Sequence, residues 1–462
     1  MRSTRGVQTL ATIGRKKITM PENPSDAFAY VQTWHDALQQ TGWWHSFELP
    51  GGQRIQGVST LSAQKLRIGQ FPIPEDLRGK RVLDIGTWDG WFAMEMERRG
   101  AEVVAIDRWE NPRFYEIHDL LGSRVDYQQM SVYDLDPNRI GRFDVVLFMG
   151  VLYHLKHPLL ALERVCTVAK DLVAVESFVL KDRHRPGFGI ESHPLMEFYE
   201  NDEFGGQFDN WVAPTVPCLL GFCRTAGFVR VSLNNVHEYG AAVSCYRTWQ
   251  ECGKSNSIDP RLKLIGAFNT DTGGINFRSN SSDDYVCCRV AVETCDLTEI
   301  SVHPEVSGYA SRPVFVGPVE QHWQVNFKLP PGLSSGWHQV RLRTPQGETN
   351  PAEIAVDVPL VAESLNIRSV CDGVSWQPWR VSLKSGFVSM WIHGLPRNAD
   401  SNNVIVRIDG RRQFTTFVGT PGSDGATQVN MRLATNTPLG QQRLEVQFGG
   451  ASAPPVEIDV MT

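Results

Sequence analysis

The chain has 462 residues, 41% apolar and 21% charged, which is length enough for two to four domains with self-sufficient cores. That composition excludes a disordered or collagen-like chain, and no run of about 18 apolar residues is present to cross a membrane as a helix. Residues 1–250 hold 27 Lys and Arg against 30 Asp and Glu, so half of the formal charge of −6 lies in each part and neither part attracts nucleic acid on charge alone.

The nine cysteines are odd in number and form no CxxC pairs, which argues against a disulfide framework or a zinc ribbon and for reduced thiols in a cytoplasmic protein. Residues 1–24 carry Arg2, Arg5, Arg15, Lys16 and Lys17 without the apolar stretch of a signal peptide, and read as a disordered lead-in. From Ser25, the spacing of Phe28, Val31, Trp34 and Leu38 predicts a helix stopped by Gly42. Trp44–Leu49, Pro50-Gly51-Gly52 and Arg54–Gly57 predict a hairpin. Both elements precede the glycine motif and are expected to cap a site.

Arg81–Ile85 is short, apolar and β-branched, the pattern of a buried parallel strand. It runs into the turn Gly86-Thr87-Trp88-Asp89-Gly90, a helix from Trp91 to Arg99, and a second strand, Glu102–Asp107. Strand, glycine turn, helix, strand and terminal acid make a nucleoside-binding unit in which the acid accepts hydrogen bonds from a ribose diol. The turn is GxxxG rather than GxGxxG, and it carries Asp84 before it and Asp89 within it. Those acids repel a pyrophosphate and favour a cation, so S-adenosylmethionine is expected in preference to NAD. Tyr127–Met130 is the third strand, Ser131–Asp134 a loop, and Phe143–Phe148 the fourth strand. Met149–His154 then lies where open α/β sheets place ligands, before a helix over 158–169 and a fifth strand over 172–176.

LDIGTWDGWF, VVAID, SVYDL and FDVVLFMGVLYHLKHPLLAL resemble the class I S-adenosylmethionine-dependent methyltransferases, in particular the branch of the bacterial tRNA wobble-uridine carboxymethyltransferases. The resemblance covers about residues 30–250. It implies a Rossmann-like α/β fold, a seven-stranded, mostly parallel sheet with a reversed final hairpin. It also implies Asp107 on the ribose, Gly86 beside the methionine moiety, Tyr133 and Asp134 beside the adenine, and Met149, Tyr153 and Lys65 on the reactive side. Motif and resemblance together give a cofactor-binding set of Lys65, Asp84, Gly86, Thr87, Gly90, Asp107, Arg108, Tyr133, Asp134, Met149 and Tyr153. One departure is visible. The carboxymethyl-transferring enzymes use an Arg in the last strand, where this chain aligns Ala241-Ala242-Val243-Ser244-Cys245. Plain S-adenosylmethionine and methyl transfer are therefore expected.

A hydroxyl nucleophile needs a proton acceptor. The catalytic candidates are His154 with Tyr153, at the end of strand four, and His193, in a polar insertion. His154 and His157 have HxxH spacing without further ligands, so no metal is expected. The insertion over 183–211 mixes aromatic, amide and basic residues that suit a polyhydroxylated ligand or a splayed base.

Residues 251–260 read as a linker, and beyond them short strands alternate with Gly, Pro, Asn and Ser. Val325-Asn326 recurs as Val429-Asn430, and at the same offset Leu329, Gly336, Pro351, Glu353-Ile354 and Val356 match Leu433, Gly440, Pro455, Glu457-Ile458 and Val460. This predicts two immunoglobulin-like β-sandwiches, over 261–360 and 361–462. Trp323, Trp337, Trp376, Trp379 and Trp391 are expected in their cores. The leading functional expectation is O-methylation of a glycan, glycolipid or small hydroxylated substrate. A tRNA-modifying enzyme and a non-catalytic glycan- or partner-binding adaptor are the alternatives, with the β-sandwiches available for self-association or a protein partner.

Overall fold

The computed structural model describes residues 41–238, 240–249, 257–281, 284–293, 297 and 302–462. The predicted lead-in, nearly all of the first predicted helix and most of the predicted linker lie outside them.

A seven-stranded sheet organises the first half. Its strands are β1 (Arg81–Ile85), β2 (Glu102–Asp107), β3 (Asp126–Gln129), β4 (Phe143–Met149), β5 (Ala169–Ser177), β6 (Arg230–His237) and β7 (Gly240–Tyr246). Their order across the sheet is β6-β7-β5-β4-β1-β2-β3, with β1 to β5 parallel and β7 antiparallel to both neighbours. The inner strands are continuous apolar runs because helices cover both faces. Alternate residues serve the two faces. Leu83, Ile85, Val146 and Phe148 join a core with α4 (Pro158–Val168) and α5 (Val216–Thr225). Val82, Val145 and Leu147 join the other core, with α2 (Trp91–Arg98), α3 (Pro112–Leu121) and the inner side of α1 (Leu61–Ile68). The predicted hairpin is present as a two-residue pairing of Phe47–Glu48 with Arg54–Ile55.

Two β units follow. The first has a four-stranded sheet of β8 (Leu262–Asn269), β9 (Tyr285–Val292), β10 (Pro313–Val319) and β11 (His322–Lys328), in the order β8-β9-β11-β10. The second contains β12 (Asn366–Asp372), β13 (Phe387–His393), β14 (Arg411–Val418) and β15 (Ala426–Arg432), in the equivalent order β12-β13-β15-β14. Bulges interrupt β8 at Leu264/Gly266 and β12 at Ile367/Ser369, and again β10 at Pro313/Phe315 and β14 at Thr415/Phe417. Each unit also ends on a strand joined in parallel to a short one: 276–277 with 355–356, and 380–382 with 459–461. Of the tryptophans expected in the cores, Trp323 packs against one, Trp337 and Trp391 are half-buried outside them, and two are on the surface. Trp376 and Trp379 are 58% and 39% exposed and have left-handed backbones (φ 62° and 60°), which lift them out on a surface turn.

The first β unit docks on the α/β domain at the end where α4 stops and β5 starts. The fully buried Arg247 donates to the Cys166 carbonyl (2.6 Å) and the Pro331 carbonyl (2.9 Å), and its guanidinium lies 4.7 Å from the Tyr309 ring. Arg142 bonds the Thr167 and Gly332 carbonyls beside it. A Cβ on Gly227 would come within 2.9 Å of Pro331, so the backbones meet closely here.

Candidate cofactor and acceptor site

The carboxyl ends of β1, β2 and β4 converge on the glycine turn. The amides of Gly86 and Thr87 both donate to the Ile106 carbonyl, which folds the turn back over β2 (2.8 and 3.2 Å). Gly86 has φ 71°, and a Cβ there would lie 2.4 Å from Val151 Cγ2, so only a bare backbone fits. Gly90, with φ 88°, starts α2 under Phe114 in the same way.

Asp107 faces this turn. Its Oδ2 accepts the Trp88 amide (3.0 Å) and its Oδ1 the Trp109 amide (3.2 Å). Trp88 is held at φ 53°, a region that costs a bulky residue of order 1 kcal/mol and persists where neighbours enforce it. A carboxylate offers about four lone-pair sites, so Asp107 keeps acceptor capacity for a diol. Burial raises the Asp107 pKa, against the three backbone amides at Trp109, Trp88 and Arg108.

Asp84 is buried behind the turn, and its Oδ2 and the Thr87 Oγ1 are buried atoms without a hydrogen-bond partner. Burial drives the Asp84 pKa up to about 7; the nearby Thr87 hydroxyl opposes the rise, the charge of Asp107 adds to it, and the Ala93 amide opposes it. A buried carboxyl with an unspent oxygen is a place where a ligand cation completes the electrostatics. Asp89 does something else. It is wholly buried and accepts the amides of Trp44 and His45 while pairing with the His45 ring, so this acid anchors the cap segment.

The next wall comes from β3 and β4. Tyr133 is half-buried and its hydroxyl accepts the His157 amide (3.0 Å), while Asp134 is exposed in a short turn capped by Ser131. Met149 is buried at the end of β4. Arg108 is exposed, with its guanidinium 5.0 Å from the Trp109 ring.

Beyond Gly150 the site changes character. Tyr153 packs 6.2 Å from Phe204, and its pKa is pushed up to about 12, chiefly by burial. His154 Nδ1 lies 3.1 Å from the Asp209 carbonyl oxygen, an arrangement in which Nδ1–H donates and Nε2 keeps its lone pair. Burial lowers the His154 pKa, against the pull of Asp209 and Asp107, so the ring is neutral near pH 7. The insertion is an ordered flap. Its Trp211 amide bonds the Tyr153 carbonyl (2.8 Å), Tyr199 bonds the Trp211 carbonyl (2.9 Å), and Phe178 and Tyr199 pack on Phe204.

Residues 54–186 match the family model described as a methyltransferase domain. This chain carries a methyltransferase domain. The tRNA U34 carboxymethyltransferase of Pseudomonas aeruginosa strain PAO1 is 31% identical over 178 residues, 35% of this chain and 51% of that protein. The enzyme of the same name from Pseudomonas putida strain GB-1 is 32% identical over 175 residues, with the same shares covered. The chain thus spans about half the length of the curated relatives it matches. Among solved structures, the N-terminal domain of EvdMO1, in the presence of S-adenosylhomocysteine and D-fucose, is similar at 19% identity and a TM-score of 0.34, over 46% of this chain and 94% of that one.

Within the methyltransferase domain, two expected site residues stand apart. Lys65 is on the exposed side of α1, because Gln64 and Ile68 take the buried side; Arg67 is the cation that turns inward. Its Nη2 would be 3.6 Å from a Cβ on Gly150, and its guanidinium grips Glu176 through Nε (3.1 Å) and Nη2. His193 is exposed on the flap, with Nδ1 shared between the Ser192 hydroxyl (3.0 Å) and the Gly189 carbonyl (3.2 Å), a local turn contact that does not join it to Tyr153 or His154. The signals passed over were local. Thr60 caps α1 by accepting the Ala63 amide, and an inward arginine two residues after Lys65 was available as the alternative.

Proposed function

We propose that this chain is an S-adenosylmethionine-dependent methyltransferase acting on the hydroxyl of a glycan, glycolipid or other small hydroxylated acceptor. The observation that carries the cofactor is the pairing of Asp107, with acceptor capacity left, and the orphaned Asp84 oxygen around a turn that admits no Cβ at Gly86. When bound, S-adenosylmethionine supplies a methyl group already attached to a sulfonium leaving group. Asp107 accepts the ribose hydroxyls, the Gly86 backbone lies along the methionine moiety, Asp84 balances the positive charge, and Tyr133 and Asp134 flank the base. Arg108 and Thr87 border the same turn, and Met149 closes it from β4. His154, neutral and with Nε2 free, takes the acceptor proton, while Tyr153 and the flap exclude water and align the acceptor, an effect of several kcal/mol in such displacements.

The names of the relatives favour a second reading, uridine modification in tRNA. The charge of the flap weighs against it. Residues 178–215 hold three Lys and Arg against seven Asp and Glu, a surface that repels phosphates at the mouth of the site. The carboxylated cofactor is disfavoured too, since Ala241 and Ala242 are buried in the last strand and Arg67 is already paired with Glu176.

Calorimetry with S-adenosylhomocysteine tests the proposal. Binding is expected, and Asp107→Ala should weaken it at least about tenfold, the value of one or two charge-assisted hydrogen bonds. Unchanged affinity in that variant would remove the ribose assignment.

A further inference from the structure

The two β units repeat more than a strand order. Gln324 Nε2 donates to Asn326 Oδ1 at 2.9 Å, and Gln428 Nε2 donates to Asn430 Oδ1 at 3.0 Å. Phe315 is the cross-strand partner of Asn326, and Phe417 is the cross-strand partner of Asn430. Both phenylalanines follow a bulge and begin the tripeptide Phe-Val-Gly. Both lie down along their strand over that glycine: a Cβ on Gly317 would be 2.9 Å from Phe315 Cζ, and one on Gly419 would be 3.2 Å from Phe417 Cε1. The rings are 42% and 48% exposed. Register partners share a sheet face, so ring and amide pair stand side by side on the outer face of β8–β11 and of β12–β15.

The chemistry of this face selects its ligand. Within each amide pair one donor and one acceptor satisfy each other, which fixes the two planes. The Asn Nδ2 donors and the Gln Oε1 acceptor take no part in that bond and suit neighbouring hydroxyls, each able to donate and accept. The flattened ring beside them offers a rigid apolar surface for an array of C–H groups. Hydroxyl pairs alternating with C–H faces are the surface of a sugar. The surroundings extend the same theme. In the first unit a cleft of about 380 Å³ runs along the face past Phe268, Asn269 and Arg289. In the second, the register partner of Gln428 is Trp391, whose ring is 6.2 Å from that of the exposed Trp376.

We propose that the outer faces of β8–β11 and β12–β15 are two homologous carbohydrate-binding sites, each built on a Phe–Gly platform and a Gln–Asn amide pair, that together hold a glycan chain. Arg289 replaces the tryptophan in the first site and favours a sugar bearing a carboxylate or sulfate there.

The test is a glycan array probed with the labelled full-length chain, without cofactor, so that its outcome is separate from that of methyl transfer. Wild type should bind a defined set of oligosaccharides. Asn326→Ala and Asn430→Ala should each weaken those signals about tenfold, and the double variant should lose them, because two linked sites reinforce each other. Phe315→Leu with Phe417→Leu, which keeps the apolar cover of each glycine, should lose them as well, and unchanged thermal midpoints would show that all variants fold. An array on which wild type and double variant look alike would overturn the proposal. So would sedimentation showing that wild type is a dimer and the double variant a monomer, since the faces would then bind another copy of the chain.

Discussion

Asp84 sets the pH behaviour of the proposed site. Its pKa of about 7 in the ligand-free protein means that the carboxyl is protonated on the acid side of neutrality. A cation placed beside it favours the carboxylate, so binding releases a proton. Affinity for S-adenosylmethionine should therefore rise by up to about tenfold per pH unit below pH 7 and level off above it. Asp84→Asn should bind more weakly above pH 7 and give a flat profile. Calorimetry across the range in two buffers of different ionisation heat reads both the slope and the proton release. A steep profile in the Asn variant would place the titrating group elsewhere. Stability moves in the opposite direction, because an acid whose folded pKa is raised above its unfolded value of about 4 makes the empty protein less stable as pH rises from there to about 7.

At the level of elements, α1 is tied to the end of β5 by the pair Arg67–Glu176, with His237 Nε2 3.5 Å from the same carboxylate. Burial alone would raise the Glu176 pKa; Arg67 and His237 outweigh it and hold it at about 2. Removing one member of a buried pair leaves an uncompensated charge and typically costs 3–5 kcal/mol. Arg67→Ala should therefore lower the unfolding midpoint of the α/β domain strongly at pH 7. In wild type the contribution of Glu176 is present above about pH 4.5 and lost as pH falls through about 2. In the variant, His237 alone is left to oppose burial, the Glu176 pKa moves up, and the deficit should shrink on acidification to pH 5; a deficit independent of pH would mean that lost packing dominates. This pair also shows where sequence reasoning stops. The strands of the sheet were legible because burial on both faces writes continuous apolar runs, and the glycine turn because close approach tolerates no Cβ. The short α1 has one fully buried apolar residue, Ile68, beside buried Gln64, so apolar spacing did not tell Lys65 from Arg67. Asp89 looked like a ligand acid, since nothing local to the turn reveals that its partners are Trp44 and His45. The amide pairs of the β units were invisible for the same reason: Val325-Asn326 showed the repeat, but the facing Phe315 and Phe417 are specified by strand pairing.

The whole molecule separates two surfaces. The candidate ligand groups gather at the carboxyl ends of the parallel strands, whereas the first β unit docks at the amino end of β5 and the close of α4. The first β unit therefore stays clear of the mouth of the proposed active site, which the acidic flap borders. Arg247 is the centre of that docking: an arginine 1% exposed, spending its charge on two carbonyls from different units and on the face of Tyr309. Arg247→Ala strips the donors from the Cys166 and Pro331 carbonyls and leaves a void between the units, a loss of about 3 kcal/mol or more. Its consequence should be loss of cooperation rather than loss of the site. In calorimetric unfolding, wild type should melt its α/β domain and first β unit in one transition, and the variant should split that transition in two. Affinity for S-adenosylhomocysteine should remain within about twofold of wild type, because the substitution sits at the other end of the strands from Asp84 and Asp107. A single unshifted transition would show that Lys328–Glu163 and Arg142 hold the units together without it. A large fall in affinity would show instead that the β units shape the cofactor site through the sheet.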